Sequence, residues 1–564
     1  MSPARAWRPW ALLVGVPAIA FLLGLFPLWD YDIWGHLAAA RLILETGSVP
    51  RTDPFLWGAD GRPWTDTYWL FQLGVYGLFQ LGGASLLVLA KAALAALAVA
   101  VAMAARRAGT SVALAALAWL FPLVSLGGRT YERPEMVSVV MLAAFLAVVA
   151  HAGQRPRLLW LLPALQVLWV NCHPYFVFGP LIAVLFALDE LAGRAVPALA
   201  RESRGAATSA RGRVDVRAGG AVPGGTAAPA PAGWAWMVVA ATVLACLVNP
   251  YGLRGALFPL DVFVAQGADH LFYRQYIAEL RGVWFFVTRI PTNPYVIAFL
   301  ATFAAGVLAG LAAFARGRLT FFRLALLVLF GVLGWSATRN AGVFALVYAT
   351  LTTWNLHDVW TARPDAGATA SRQVRRRSRG APAEPARRLE IAALAAHAAL
   401  AVVVASGALY AWGGEGRTIG LGERAAWYAH AAQRFLTREG MPRRAFVNGI
   451  NEANLTLFEG RGRTRVYIDP RLEVVPRPLF EEYLDVLRAM GAGDTPRWER
   501  FLERPGDAVR WPSILLERAR SGAAPEGVAR APGWRPVYAD DLAVVFVREE
   551  FARTAALPRV DWRE

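Results

Sequence analysis

The sequence predicts a mainly α protein: a polytopic helical membrane bundle followed by a small soluble α/β domain. Three observations carry that prediction. Hydrophobic residues make up 56% of the 564 and charged residues 18%, against about 25% charge in an ordinary soluble domain. About eleven apolar runs of near-span length succeed one another from Ala11 to Trp412. From about Arg417 onward the composition turns to that of a soluble domain. The apolar and aromatic content excludes a disordered or collagen-like chain. Two cysteines, Cys172 and Cys246, have no CxxC spacing, which excludes a disulfide framework and a thiolate metal cluster.

The elements follow in order. Arg5 and Arg8 precede the apolar run Ala11 to Trp29, an order that signal peptides share. The run has span length and leads into a polytopic chain, so it is read as an uncleaved first helix. Further spans fall near 84–104, 110–127, 134–152, 157–171, 174–192, 234–249, 294–314, 319–336, 340–357 and 390–412. The stretch 66–82 is amphipathic and aromatic; it either lies on the membrane or extends the second helix. With the N-terminus in the cytoplasm, the inner segments hold Arg106/Arg107, Arg155/Arg157, Arg316/Arg318 and the run Arg372 to Arg388. They carry roughly twice the arginine of the short outer loops, as the positive-inside rule requires. An odd number of helices then places the tail outside the cytoplasm. The net charge of +17 is accordingly read as topology and inner-leaflet attraction, not as a nucleic-acid surface. Two Ala/Gly/Pro/Arg-rich linkers, 193–232 and 361–388, cannot bury a core and are expected to be disordered. The expected domains are thus 1–412 in the membrane and 417–564 outside the cytoplasm.

Within the tail, Glu423 to Arg438, Pro478 to Met490 and Arg497 to Leu502 read as helices. Ala445 to Asn448 and Arg465 to Ile468 read as short strands, and Arg535 to Tyr538 with Leu542 to Val547 as a terminal hairpin. Tyr467-Ile468-Asp469-Pro470-Arg471 is a strand end followed by an acid and a base, read as a structural Asp–Arg pair with a binding loop as the alternative.

The unusual polar residues near span ends fall on one side, the outer one. They are Asp30-Tyr31-Asp32-Ile33-Trp34-Gly35-His36, Arg129-Thr130-Tyr131-Glu132-Arg133-Pro134-Glu135, Asn171-Cys172-His173, Asn249-Pro250-Tyr251-Gly252 and Thr338-Arg339-Asn340. Ionisable groups at a membrane boundary face a protein interior or a wet cavity, so these loops predict a polar cavity at the outer boundary. If the first segment is extended, Asp30 and Asp32 share a face; if it is helical, Asp32 and His36 do. Paired acids serve as a base or hold a metal, and the plain alternative is two solvated aspartates at a helix end. Arg129, Arg133 and Arg339 have the forked donors that bind phosphate; the alternative is pairing with Glu132 and Glu135. His36, His173, Asn171 and Tyr251 are candidate contacts or structural anchors. Lys91, the only lysine, lies inside an apolar run and either snorkels or faces the same cavity. The mixed stretch 251–293 suits a cover over a cavity mouth or plain interface packing. No P-loop, GxGxxG, HExxH or GxSxG motif is present.

The first-loop string from Asp30 to His36, the segment Gly47 to Phe55 (GSVPRTDPF) and Gly61-Arg62-Pro63-Trp64 together resemble a family of bacterial multi-pass proteins. Arg133-Pro134-Glu135, Trp169-Val170-Asn171 with His173, Asn249 to Gly252 and Val466 to Arg471 resemble it too. That family is grouped with the GT-C glycosyltransferases of the protein-mannosyltransferase and lipid A aminoarabinose-transferase type. The resemblance covers nearly the whole chain. It implies a GT-C-like bundle in the bacterial inner membrane and a sugar donor carried on polyprenyl phosphate. It implies an acid of the first outer loop, here Asp30 or Asp32, as catalytic base or metal ligand, and a second acid before the fourth helix, here Glu132 or Glu135. His36 and the long Arg/Ala linkers are not general to that superfamily. No cofactor beyond a possible divalent metal is expected.

The chemistry agrees with the residues. An acceptor hydroxyl loses its proton as it attacks the anomeric carbon, and a carboxylate takes that proton. The departing lipid phosphate needs fixed cations, which Arg129, Arg133 or Arg339 supply. The expected partners are the lipid-linked donor, a glycan, lipid or protein acceptor, and membrane lipid, with no nucleic acid. The alternatives are a lipid or solute transporter, which wants polar residues near mid-bilayer, and a non-catalytic envelope assembly protein that binds through its tail.

Overall fold

The computed structural model describes residues 7–58, 61–195, 233–361, 384–505, 507 and 509–563. The expected disorder of 193–232 and 361–388 falls almost wholly outside the described residues. The chain forms two compact units. One comprises 1–26, 88–259 and 270–421; the other comprises 27–87, 260–269 and 422–564.

Helices occupy every expected span. Trp7–Gly24, Trp69–Ala104, Glu135–Ala152, Pro174–Gly193, Pro294–Ala315 and Pro385–Ala405 are long and apolar enough to cross a bilayer. Val112–Gly127, Pro156–Val170, Trp234–Ala245 and Phe321–Ser336 are shorter apolar helices, and Ala341–Thr361 is helical as well. The chain is a multi-pass membrane protein. The stretch 66–82 joins the second span: one helix runs Trp69–Ala104, broken at Gly82 and Gly83. Gly83 has φ +59 and ψ −154, a region that essentially only glycine enters.

The first unit is the bundle. Ala341–Thr361 is its centre, buried almost all round and packed on Pro294–Ala315 and Val112–Gly127. In lipid, close backbone approach replaces the hydrophobic drive, and it is visible here: a Cβ at Gly306 would stand 2.3 Å from the Tyr348 ring. Tyr348 in turn donates its hydroxyl to the Leu327 carbonyl at 2.8 Å. At one end of the bundle a buried polar network ties two helices to the loop that follows Trp69–Ala104. Asp358 accepts from Arg107 and from Arg323, both at 2.8 Å, and Arg323 also reaches Asn355 at 2.9 Å.

The second unit holds a five-stranded sheet of order β2-β1-β3-β5-β4. Its strands are β1 Arg444–Val447, β2 Arg465–Val466, β3 Ser513–Glu517, β4 Trp534–Ala539 and β5 Ala543–Arg548. β1 is parallel to β2 and β3, while β5 is antiparallel to β3 and β4. The segment that follows the first span is woven into this unit. Leu56 bridges Val466 in parallel, and Leu28 bridges Glu423. That pairing keeps Glu423 to Ala429 out of the helix expected there, which begins only at His430. Arg471 pairs with Asp469 at 2.6 Å, the structural reading of that motif, and with Asp53 of the first segment at 2.5 Å.

Candidate active-site loops

In the second unit, the first-loop acids start a helix, Asp32–Thr46. Asp30 Oδ1 accepts the Asp32 backbone N–H at 3.1 Å, so Asp30 caps the turn and Asp32 stands in the first helical turn, where the helix dipole favours a carboxylate. Of the two geometries open from sequence, the helical one is found: Asp32 and His36 lie four residues apart on one face. His36 packs between Tyr68 and Phe71, with ring centroids 5.6 and 5.3 Å away. Tyr31, between the two acids, is buried; its hydroxyl donates to the Trp427 carbonyl at 2.8 Å and lies 3.2 Å from Glu517 Oε1. The Tyr428 hydroxyl donates to the Asp30 carbonyl at 3.1 Å. The helix sits close on Ala453–Gly460: a Cβ at Gly35 would stand 2.5 Å from Asn454 Oδ1. Burial pushes Glu517 up to about 7, against the lowering effect of its Tyr31 contact.

In the first unit, four of the polar loops converge. Arg129 reaches Glu135 at 3.0 Å and Glu279 at 3.3 Å, and Arg133 reaches Glu279 at 2.7 Å. Arg339 is close enough to act on the same glutamate. Burial works against the Glu279 charge, but Arg133 and Arg129, with Arg339 behind them, hold its carboxyl well below the usual carboxylate range. Glu135 is the first residue of the helix Glu135–Ala152, and its Oε1 is buried without a hydrogen-bond partner. The neighbouring loop joins through Tyr175, whose hydroxyl donates to Asn340 Oδ1 at 2.6 Å. His173 Nδ1 lies 2.8 Å from Ser138 Oγ, which also accepts from the Trp169 indole at 2.7 Å. Three guanidinium groups and two carboxylates thus act on one another here, and forked guanidinium donors suit phosphate oxygens.

The remaining candidates fall elsewhere. Glu132 pairs with Lys91, both buried, so the lone lysine is neutralised inside the bundle. The Lys91 ammonium also lies 3.4 Å from the Phe26 ring centroid, a cation–π contact. Asn171 donates to the Val167 and Val248 carbonyls at 2.7 and 2.8 Å and so ties two helices. Tyr251 sits in the turn capped by Asn249, its N–H 2.8 Å from Asn249 Oδ1. Sequence reasoning missed Glu279, Tyr175, Ser138 and Glu517. For Glu279 the signal was present, an acid in the mixed stretch 251–293; for the others there was none. Among the described residues no three His, Cys, Asp or Glu side chains gather as a metal site.

No known protein family matches the sequence, and no characterised protein matches it by sequence either. Solved structures do match. The archaeal oligosaccharyltransferase AglB from Archaeoglobus fulgidus, in complex with an inhibitory peptide and a dolichol-phosphate, aligns over 92% of this chain and 70% of its own. Its TM-score is 0.55 at 14% identity. The apo form of the Archaeoglobus fulgidus oligosaccharyltransferase aligns over 97% of this chain and 75% of its own, with TM-score 0.54 and 13% identity. The fold is the GT-C fold. ArnT from Cupriavidus metallidurans, bound to undecaprenyl phosphate, is a looser likeness: TM-score 0.49 and 13% identity, over 96% of this chain and 98% of its own.

Proposed function

We propose that the chain is an integral membrane glycosyltransferase that moves a sugar from a polyprenyl-phosphate donor to an acceptor at the outer face of the inner membrane. The observation that carries the proposal is the convergence of Arg129 and Arg133 from one loop and Arg339 from another onto Glu135 and Glu279, in a chain whose fold follows an oligosaccharyltransferase seen with dolichol-phosphate over nearly its whole length. In the reaction, Asp30 or Asp32 takes the proton from the acceptor hydroxyl. The hydroxyl oxygen bonds to the anomeric carbon as the bond from that carbon to the phosphate oxygen breaks. The lipid phosphate leaves with an added negative charge, which the arginines stabilise. Glu135, with one buried oxygen unpartnered, takes a hydroxyl of the sugar or holds Arg129 in place. His36, His173, Asn171 and Tyr251 are assigned to shaping the donor and acceptor sites. The N-terminus is placed in the cytoplasm and the tail outside it, a reading that the arginine distribution supports.

The test is a panel of polyprenyl-phosphate sugars offered to the purified chain in lipid. Native mass spectrometry reads the donor retained, and product analysis reads sugar transfer to added acceptors. Wild type is expected to retain one donor, and Asp30→Asn with Asp32→Asn to retain it without transferring. Full transfer by that double variant would remove both acids from the mechanism. A folded wild type that retains no donor would overturn the proposal.

A further inference from the structure

A cavity of about 380 Å³ in the second unit is lined by Arg41, Leu44, Glu45, Tyr76, Gln80 and Arg461, none of them among the site candidates. Arg41 and Glu45 come from the helix Asp32–Thr46, and Tyr76 and Gln80 from the first part of Trp69–Ala104. Arg461 is the residue that ends the helix Ala453–Gly460, held at φ +47 in the left-handed region. Arg41 is fixed there: it donates to the Phe458 carbonyl at 2.8 Å and lies 4.7 Å from the Phe458 ring centroid. Two guanidinium groups, a phenol and an amide thus present donors to one cavity beside a single carboxylate.

The position of the cavity along the helix selects the ligand. From Ala84 to Ala104 the helix is an apolar run of about 21 residues, about 31 Å long at 1.5 Å per residue. That matches the hydrocarbon thickness of about 30 Å. The break at Gly82 and Gly83 therefore falls where the helix leaves the hydrocarbon, and Gln80 and Tyr76 lie in the first turns beyond it, at headgroup level. Leu81, between them and the break, is 82% exposed, and Leu44 on the cavity wall is 59% exposed. Large apolar side chains turned outward beside cationic donors suit acyl chains below and a headgroup above. Forked guanidinium donors suit phosphate oxygens, and Glu45 is an acceptor for a headgroup hydroxyl.

We infer that this cavity is a binding site for the headgroup of an anionic, hydroxyl-bearing phospholipid, separate from the proposed transfer site. The full chain, stripped of lipid in detergent, is titrated with phosphatidylglycerol and with phosphatidylcholine, and retained lipid is read by native mass spectrometry. Wild type is expected to hold phosphatidylglycerol in preference to phosphatidylcholine. Arg461→Gly keeps the left-handed backbone without strain, and Tyr76→Phe removes only a hydroxyl. Arg461→Gly is expected to lower retention roughly ten-fold, the loss of one hydrogen bond to a charged group, and Tyr76→Phe to lower it by less, both with unchanged melting. Equal retention of the two lipids by wild type, or undiminished retention by both variants, would overturn the inference. Displacement of phosphatidylglycerol by millimolar inorganic phosphate would overturn it too, by assigning the cavity to a soluble phosphate.

Discussion

Glu279→Gln tests the arginine cluster most directly, because it removes one charge and keeps the shape. The substitution deprives Arg133 of its 2.7 Å partner and leaves Arg129 with Glu135 at 3.0 Å. The side chains of Glu279 and Arg133 are 23% and 22% exposed, between surface and interior. Exposed pairs contribute about 0.2–1 kcal/mol, and breaking a fully buried pair costs about 3–5 kcal/mol. A cost of about 2 kcal/mol is therefore expected, seen as a lower melting temperature by tryptophan fluorescence in detergent. The cluster gains one positive charge, so added polyprenyl phosphate should stabilise the variant more than wild type, as binding to the folded state alone requires. The pH dependence has a definite sign. A carboxyl held below its ordinary value contributes stability that is fully present above about pH 4.3 and is lost as pH falls below it toward the folded value. The gap between wild type and variant should close on that acid limb. A variant that melts like wild type at pH 7, or gains nothing extra from polyprenyl phosphate, would refute the reasoning.

Other expectations follow from the same structure. Asp30→Asn preserves the acceptor of the Asp32 N–H and removes the charge, whereas Asp30→Ala removes both; the alanine variant should melt lower by the equivalent of about 1 kcal/mol, the worth of one hydrogen bond, while loss of transfer in both variants would assign the charge a role. Asp358→Asn leaves Arg107 and Arg323 without their carboxylate inside the bundle and should cost about 3–5 kcal/mol, checked by melting and by monodispersity on size exclusion. His430 is held between Glu459 at 2.7 Å and Glu423 at 2.9 Å. Burial opposes its charge, but the bonds to the two glutamates prevail and push it up to about 9. A raised histidine stabilises fully below its unfolded value of about 6.5 and loses that contribution as pH rises through the folded one. The melting difference between wild type and His430→Gln should therefore shrink between about pH 6.5 and pH 9.

The spans were legible in the sequence because each must satisfy its own backbone within lipid, so its length and apolarity are local facts. The helices Glu135–Ala152 and Pro294–Ala315 agree with the runs 134–152 and 294–314 to within a residue. The polar outer loops were legible for the same reason: charge at a membrane boundary is rare and stands out. The tail was less so. Its two short parallel strands and terminal hairpin were found, while β3, Ser513–Glu517, buried throughout, gave no alternation, and its short apolar run did not declare itself a strand.

The sequence by itself determined a multi-pass helical chain, a tail of soluble-domain composition and a set of polar loops at span ends, because hydropathy and charge act through the solvent each segment meets. Tertiary structure alone decided what those polar residues touch. Glu132 goes to Lys91, the only lysine. Arg133 finds Glu279, an acid 146 residues away. Asp53 of the first outer segment meets Arg471 of the tail, 418 residues on. Ion-pair choice depends on distance and desolvation, and neither is written in the spacing of residues along the chain.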